Sequence, residues 1–438
     1  MAQIDARYDT YTKDYEASLK KSHKSVQDFK SEAWGSFCEV GLPIARKGNE
    51  KWKYTNVNPV LDNSYRIRES SIEGDIKVQN LGVTTTGNVK LVVINGKLSK
   101  EMSYGVDNIP GIHVTSLQDA LETNSKFVKE NLSAHASYAD GFVALNSALF
   151  DEGLYVEIEG DESDVFVEIV NIATGSENVA SYPRVLVNVK ENSKACIIEA
   201  FFTEDITHHF TNAVTEIVLG KNSTLNHGKV MFESMDSVHM GVTNVYQSES
   251  SSFKSANFSK GSDLARNEMS VLLDGTEAEC DIIGLYLTVD SQHIDTLINI
   301  DHAKPNCFSN IMYKGILDGN SRAVFGGEVL VRKDSQKTNA TQSDKNLILS
   351  DGAEVDSKPS LMIYADDVQC GHGATAGSIN DETVFYMRSR GLDERMASKF
   401  LIQAFAREII DQVDDPGFME YIDNAYEASI PNAILNLG

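Results

Sequence analysis

Between about residues 154 and 375 the chain repeats one shape: an apolar run, a small polar turn, then a second apolar run. Segments 187–197, 217–225, 271–280, 315–325 and 347–355 all carry it. With Ser193, Ser223, Ser251, Glu277 and Pro305 as turn markers, the intervals are 30, 28, 26 and 28 residues. A unit this short cannot bury an apolar face alone. Stacked as coils, such units cover one another, and a drifting interval suits coils joined by loops of unequal length. A β-solenoid is the expected fold, with a β-sandwich, whose turns recur every ~8–12 residues, as the competitor.

The flanks read differently. From Tyr8 an apolar stripe at helical spacing (Tyr8, Tyr11, Tyr15, Leu19, Val26, Phe29) runs to a stop at Gly41-Leu42-Pro43. The polar stretch 49–56 reads as a helix end or loop pinned by Trp52 and Tyr54. Residues 89–94 read as a strand, Asn95-Gly96 as a type I′ hairpin turn and Ser116 as the cap of a short helix. After Gly377 helical patterns return. Asn380 caps a helix through Phe385, Tyr386 and Met387, closed by Gly391. Asp393 caps a second, with Met396, Ala397, Phe400, Leu401, Ala404 and Phe405 on one face. The breaker Asp414-Asp415-Pro416-Gly417 precedes a third, carrying Phe418, Ile422, Ala425 and Tyr426. The expected division is a helical and mixed α/β region over 1–150, a β core over 151–377 and a helical domain over 378–438.

Charge narrows the function classes. With 39 Lys+Arg against 64 Asp+Glu the net charge is −25, which repels phosphate backbones and anionic lipid, so neither nucleic acid nor a membrane surface is an expected partner. Five scattered cysteines, with no C-x-x-C, suggest neither a disulfide framework nor a zinc finger. The first residues lack an apolar signal region, and no apolar run reaches transmembrane length; the expected compartment is the cytoplasm.

One pair of ligand-type residues stands out. Cys370 and His372 are two apart, so in an extended strand thiol and imidazole point to one face, where they could accept sulfur or bind iron. The bland alternative is a chance pair, since two ligands do not make a site. Gly371-x-Gly373-x-x-Ala376 matches the relaxed dinucleotide fingerprint, but only helices follow it, so a dinucleotide site is rejected and the glycines are expected in close turns. No G-x-x-x-x-G-K-[ST], G-x-S-x-G or H-E-x-x-H occurs, so the chain is not expected to bind a nucleotide or hydrolyse ATP. His208, His209, His227, His239, His293 and His302 are expected to be hydrogen-bonded strand or turn residues, and Cys196, Cys280 and Cys307 buried, inert thiols.

These residues also carry a family resemblance. His293-Ile294-Asp295-Thr296, His302, Pro305, Phe325-Gly326-Gly327, Gln342, 346–350, Lys358-Pro359, 364–375 and 385–392 together resemble the SufB/SufD family of iron–sulfur cluster assembly proteins. Gly41-Leu42-Pro43 with Trp52-Lys53-Tyr54-Thr55 is similar to the SufD branch; the SufB branch is longer and carries clustered cysteines near its start, where this chain has only Cys38. Gly371 departs from the pattern, many relatives having Ser there.

The resemblance implies a mainly β chain, a right-handed parallel β-helix flanked by N-terminal and C-terminal α-helical regions. It implies a non-catalytic scaffold subunit working with a SufB-like chain and a SufC-like ABC ATPase, and able to form a homodimer when isolated. Carried over by position, His372, with Cys370 as companion, becomes a candidate ligand for iron or a transient iron–sulfur cluster at the SufB interface. Phe385, Tyr386, Arg388 and Arg390 fall on the helix expected to dock SufC, with a core position as the competing reading for Phe385. Two other functions compete: a self-sufficient homodimeric scaffold like SufB, and a polysaccharide-acting β-helix enzyme.

Overall fold

Each coil turns on a single residue with left-handed backbone. Asn192, Asn222, Ser250, Glu277, Asn306 and Lys337 have φ of 61, 55, 53, 59, 61 and 60°. Their amides donate, in that order, to the carbonyls of Lys221, Glu249, Thr276, Pro305, Gln336 and Asp367 on the following coil. The turn markers read from the sequence lie within one residue of this ladder. Small polar residues predominate there because an L side chain at positive φ is costly unless it is short and can hydrogen-bond locally.

The computed structural model describes residues 8–427 apart from 46–48, 68–87, 106–108, 124, 161–165, 176–177, 205–207 and 414–415. Between the corners run two sheets. In chain order the strands are β1 (Val89–Ile94), β2 (Lys97–Tyr104), β3 (Ile112–Ser116), β4 (Leu154–Ile158), β5 (Phe166–Thr174), β6 (Val179–Ser181), β7 (Arg184–Val189), β8 (Lys194–Glu204), β9 (His209–Leu219) and β10 (Thr224–Phe232). They continue with β11 (Val238–Gln247), β12 (Ser252–Lys260), β13 (Leu264–Leu273), β14 (Glu279–Thr288), β15 (His293–His302), β16 (Phe308–Leu317), β17 (Arg322–Val331), β18 (Asn339–Ile348), β19 (Glu354–Ile363) and β20 (Gln369–Gly377). Sheet one has the order β2-β1-β5-β8-β10-β12-β14-β16-β18-β20, and sheet two β19-β17-β15-β13-β11-β9-β7-β4-β3, with β6 beside β9. Pairing is parallel except at the start, where β1–β2 and β3–β4 are antiparallel. This is a parallel β-solenoid, and the sandwich is excluded. The hairpin at Asn95-Gly96 forms as expected, both residues having positive φ.

The bore between the sheets is divided lengthwise. Beside the left-handed corners the inward side chains are largely apolar: Ile197, Leu225, Phe253, Ile282 and Ile311 from sheet one meet Ile217, Val245, Val271, Ile300 and Val329 from sheet two. Beside the opposite corners they are largely polar. Glu199, Lys229, Asn257 and Asp344 face His209, His239 and Asn267 there, all buried. These groups find one another, as buried polar groups must: His227 Nε2 lies 3.2 Å from Glu199, Lys229 donates to Asn267 over 2.9 Å, and His239 Nδ1 to Glu233 over 2.7 Å. The expectation of hydrogen-bonded histidines holds for both His227 and His239, and for His209, whose Nε2 lies 3.1 Å from the Ser181 hydroxyl and 3.0 Å from that of Thr211.

The N-terminal stripe forms two helices, α1 (Asp9–Lys21) and α2 (Lys24–Val40), where the sequence suggested one run; the chain is extended at Ser22 and His23. They pack with α3 (Asn58–Leu61), α4 (Leu117–Glu122), α5 (Lys126–Asn131) and α6 (Gly141–Leu149) on the outer face of sheet two. The stretch with Trp52 lies across that face as a strap. Lys51 Nζ is 2.6 Å from Glu268, the Arg266 guanidinium sits 4.0 Å over the Trp52 ring, and Thr55 Oγ1 bonds Asp295 and, at 3.2 Å, His293. Glu50 reaches Lys358 of β19 at 3.1 Å. The rings do pin this loop, and its polar neighbours tie it to β13, β15 and β19, while Arg322 of β17 sits 5.8 Å over the Tyr54 ring.

At the other end α7 (Asp381–Ser389), α8 (Glu394–Ile410) and α9 (Pro416–Glu427) fold back over sheet one. Asn380 and Asp393 cap α7 and α8 through the amides of Thr383 and Met396. Of the predicted face of α8, Ala397 is buried and Leu401 and Phe405 are partly so, while Met396, Phe400 and Ala404 are exposed; Ile402, Ala406, Ile409 and Ile410 complete the buried stripe. The β-branched residues of the second half win the contact with Ile283, Leu285 and Ile316, which turns Met396 and Phe400 outward. Ala425 and Tyr426 lie outside the residues whose side chains are described. Among the described residues no helix is long and apolar enough to cross a membrane.

Candidate functional site

The solenoid stops at β19 and β20, and among the described residues no further coil covers them. β20 pairs with β18 in register, Cys370 beside Ala340 and His372 beside Gln342. Ala340 and Gln342 are buried and face the bore, so the thiol and imidazole also occupy the inward face of their strand, as the i, i+2 spacing predicted. In every earlier coil that face is enclosed. Here Cys370 is half-buried and His372 exposed. Cys370 packs against the apolar half of the bore, and burial pushes its thiol above the ordinary value. His372 stands over the boundary between the two halves.

The glycines of this stretch are in the strand rather than in turns, which corrects the expectation. They serve no close approach: a Cβ on Gly371 or Gly373 would meet nothing within 4 Å. A serine side chain at 371 would therefore meet no neighbour.

Beneath the pair lies a polar floor that the motif gave no reason to seek. Gln342 donates to the Ser360 carbonyl over 3.0 Å, while its Oε1 is buried without a partner. That oxygen fits only because residue 327 is glycine, where a Cβ would lie 2.2 Å away. Asp344, under Ala374, accepts from Asn346 Nδ2 at 2.8 Å, and Asn346 accepts from the Tyr286 hydroxyl at 2.5 Å. Burial raises the Asp344 carboxyl to about 6. The signal in the sequence was the run Gln342-Ser343-Asp344-Lys345-Asn346, polar at three alternate positions of a strand, where neighbouring coils are mostly apolar.

Among the described residues no three His, Cys, Asp or Glu side chains converge as a metal centre. Cys370 and His372 thus stand as two ligand-type groups with no third. The remaining cysteines are free thiols: Cys196, Cys280 and Cys307 are buried, and burial raises the latter two, so the expectation of inert thiols holds for that pair.

The second candidate surface is α7, which buries none of its residues. Phe385 is 73% and Tyr386 58% exposed, so the core reading for Phe385 fails. Arg390 stacks on the Tyr386 ring at 5.2 Å, and Arg388 pairs with Glu394 at 3.2 Å. Met396 and Phe400 on α8 are exposed as well. Two aromatics and an arginine on one exposed helix, with a second arginine at its C-cap, are side chains typical of interface anchors.

Two family models match this chain: the SUF system FeS cluster assembly SufBD core domain over residues 170–405, and the SufBD protein N-terminal region over 2–163. The iron–sulfur cluster assembly protein SufD of Escherichia coli is 30% identical over 87% of this chain and 88% of its own length. An iron–sulfur cluster assembly SufBD family protein of Synechocystis is 29% identical over 85% and 84%, and the chloroplastic protein ABCI7 of Arabidopsis thaliana 28% over 85% and 80%. The resemblance to SufD read from 41–55 and 290–410 is thereby borne out, and the glycan-cleaving alternative falls away. The chain belongs to the SufBD family of iron–sulfur cluster assembly proteins.

Proposed function

We propose that this chain is the SufD-like, non-catalytic subunit of a cluster-assembly complex with a SufB-like chain and a SufC-like ABC ATPase. The supporting observation is the uncovered last coil: β20 is exposed along nearly its whole length and carries an imidazole and a thiol where a further coil would lie. Docked on this end, a SufB-like chain would complete the ligand set around iron or a nascent cluster, which is cargo rather than a resident cofactor. His372 is the stronger ligand of the two, since its imidazole is exposed while the Cys370 thiol is partly buried and held protonated. Phe385, Tyr386, Arg388 and Arg390 would dock the ATPase, which alone would bind nucleotide. The five free thiols suit a reducing compartment such as the cytoplasm.

Anaerobic reconstitution of the co-purified complex, followed by its visible absorbance, tests the reading. His372→Ala should retain the complex and lose on the order of tenfold or more in cluster yield, as expected when one metal ligand is removed. Full yield from that variant would refute the ligand role, and failure of the wild-type chain to co-purify with the other two would refute the complex.

A further inference from the structure

We propose that Glu408 is a positioning residue, the joint that fastens the C-terminal helices to the strands flooring His372 and so sets where β20 lies. The inference rests on the reading above only for the partners at its two sides, the ATPase on α7 and the SufB-like chain on β20. Lys314 of β16 is a lysine with 1% of its side chain exposed. Its Nζ donates to Glu408 Oε2 at 2.5 Å and to the Phe405 carbonyl at 2.8 Å, and lies 4.2 Å over the Phe405 ring. Lys345 of β18 reaches the other oxygen, Oε1, at 3.3 Å. One carboxylate thus grips two successive coils. Lys314, Lys345 and Thr375 of β20 are register partners in a single column, and Thr375 lies three residues beyond His372.

Chain connectivity gives the joint its leverage. β20 runs through residues 378–380 directly into α7, so the segment from Gly377 to Glu408 is anchored at both ends, by the backbone of β20 and by Glu408. With Glu408 in place, α8, β16 and β18 form one body. β20, which has a single neighbour in its sheet, is the compliant element between that body and the exposed face of α7. Lys314 strengthens the case: a lysine this buried holds its charge against burial, which lowers it, through Glu408, and that pairing exists only while α8 is seated.

Hydrogen exchange on the full chain tests the joint without any partner. In Glu408→Gln the amides of 369–377 should exchange on the order of tenfold faster, the effect of losing one charge-assisted bond, while those of 252–260 stay as in wild type. Lys345→Met, which leaves the Lys314 pair intact, should give a smaller effect confined to the same strand. Unchanged exchange over 369–377, or equal loosening of every strand, would overturn the proposal. In the assembled complex Glu408→Gln should capture the ATPase and hydrolyse ATP at the wild-type rate yet form several-fold fewer clusters per ATP. An unchanged cluster-to-ATP ratio would deny the joint a part in transmission. If even the wild-type chain captures no ATPase, the docking reading fails by itself, and the exchange experiment still decides whether Glu408 positions β20.

Discussion

Asp344 separates the cost of burying a group from the cost of charging it. Its carboxyl is held at about 6, above the ordinary 3.8, because burial disfavours the anion. A carboxyl raised in the fold binds its proton more tightly folded than unfolded, so it costs nothing below about pH 4 and costs most above about pH 6. Asp344→Asn should therefore stabilise the chain at pH 7.5 by something on the order of 1–3 kcal/mol and by much less at pH 4.5, read from denaturant midpoints. Equal effects at the two pH values would show that the carboxyl is not the buried charge described. The left-handed corners allow a second residue-scale prediction. Glu277, at φ 59°, has neither the short side chain nor the freedom that conformation favours, so Glu277→Gly should raise stability by about 1 kcal/mol. The small turn residues were legible in the sequence because this backbone requirement selects them locally. Asp344 was not, since nothing in its own neighbourhood says which face of the strand would be enclosed.

At the scale of elements, the strap from Glu50 to Thr55 explains why a polar stretch holds two large aromatics. Trp52 is buried against Arg266 and, with ring centroids 5.6 Å apart, Phe142. Trp52→Ala should cost about 3–5 kcal/mol, and proteolysis should then release the N-terminal helices before the solenoid opens; cleavage within the coils first would contradict this role. That the loop is pinned could be read from its rings. Its partners could not: Arg266, Glu268, His293, Asp295 and Lys358 lie more than 200 residues away, and only their alternation of charge along β13 and β15 hinted at a covered outer face. The same limit applies to α8. Its apolar residues outnumber those one face needs, so spacing alone did not fix the buried stripe, and the packing of Ile402 and Ile409 on sheet one did.

Across the whole molecule, the repeat was legible because a solenoid writes its coil length into the sequence; the N-terminal helices followed from their apolar stripe and the C-terminal ones from their caps. The candidate site was legible only in part. Cys370 and His372 could be paired by strand spacing, but whether a further coil would cover them depends on where the sheets end, which is a property of the entire stack. The lengthwise division of the bore carries a last consequence. The uncovered coil displays both halves in cross-section, greasy under Cys370 and polar beyond His372 toward Asp344, like the profile of a keyed plug. A chain seated there must match oil to oil and water-loving groups to their kind. Turned by half a revolution it would set apolar side chains over the unpartnered Gln342 oxygen and a buried carboxyl, at a cost of about 1–3 kcal/mol for each stranded group. The orientation of a chain seated there would thus be encoded by the interior of the solenoid.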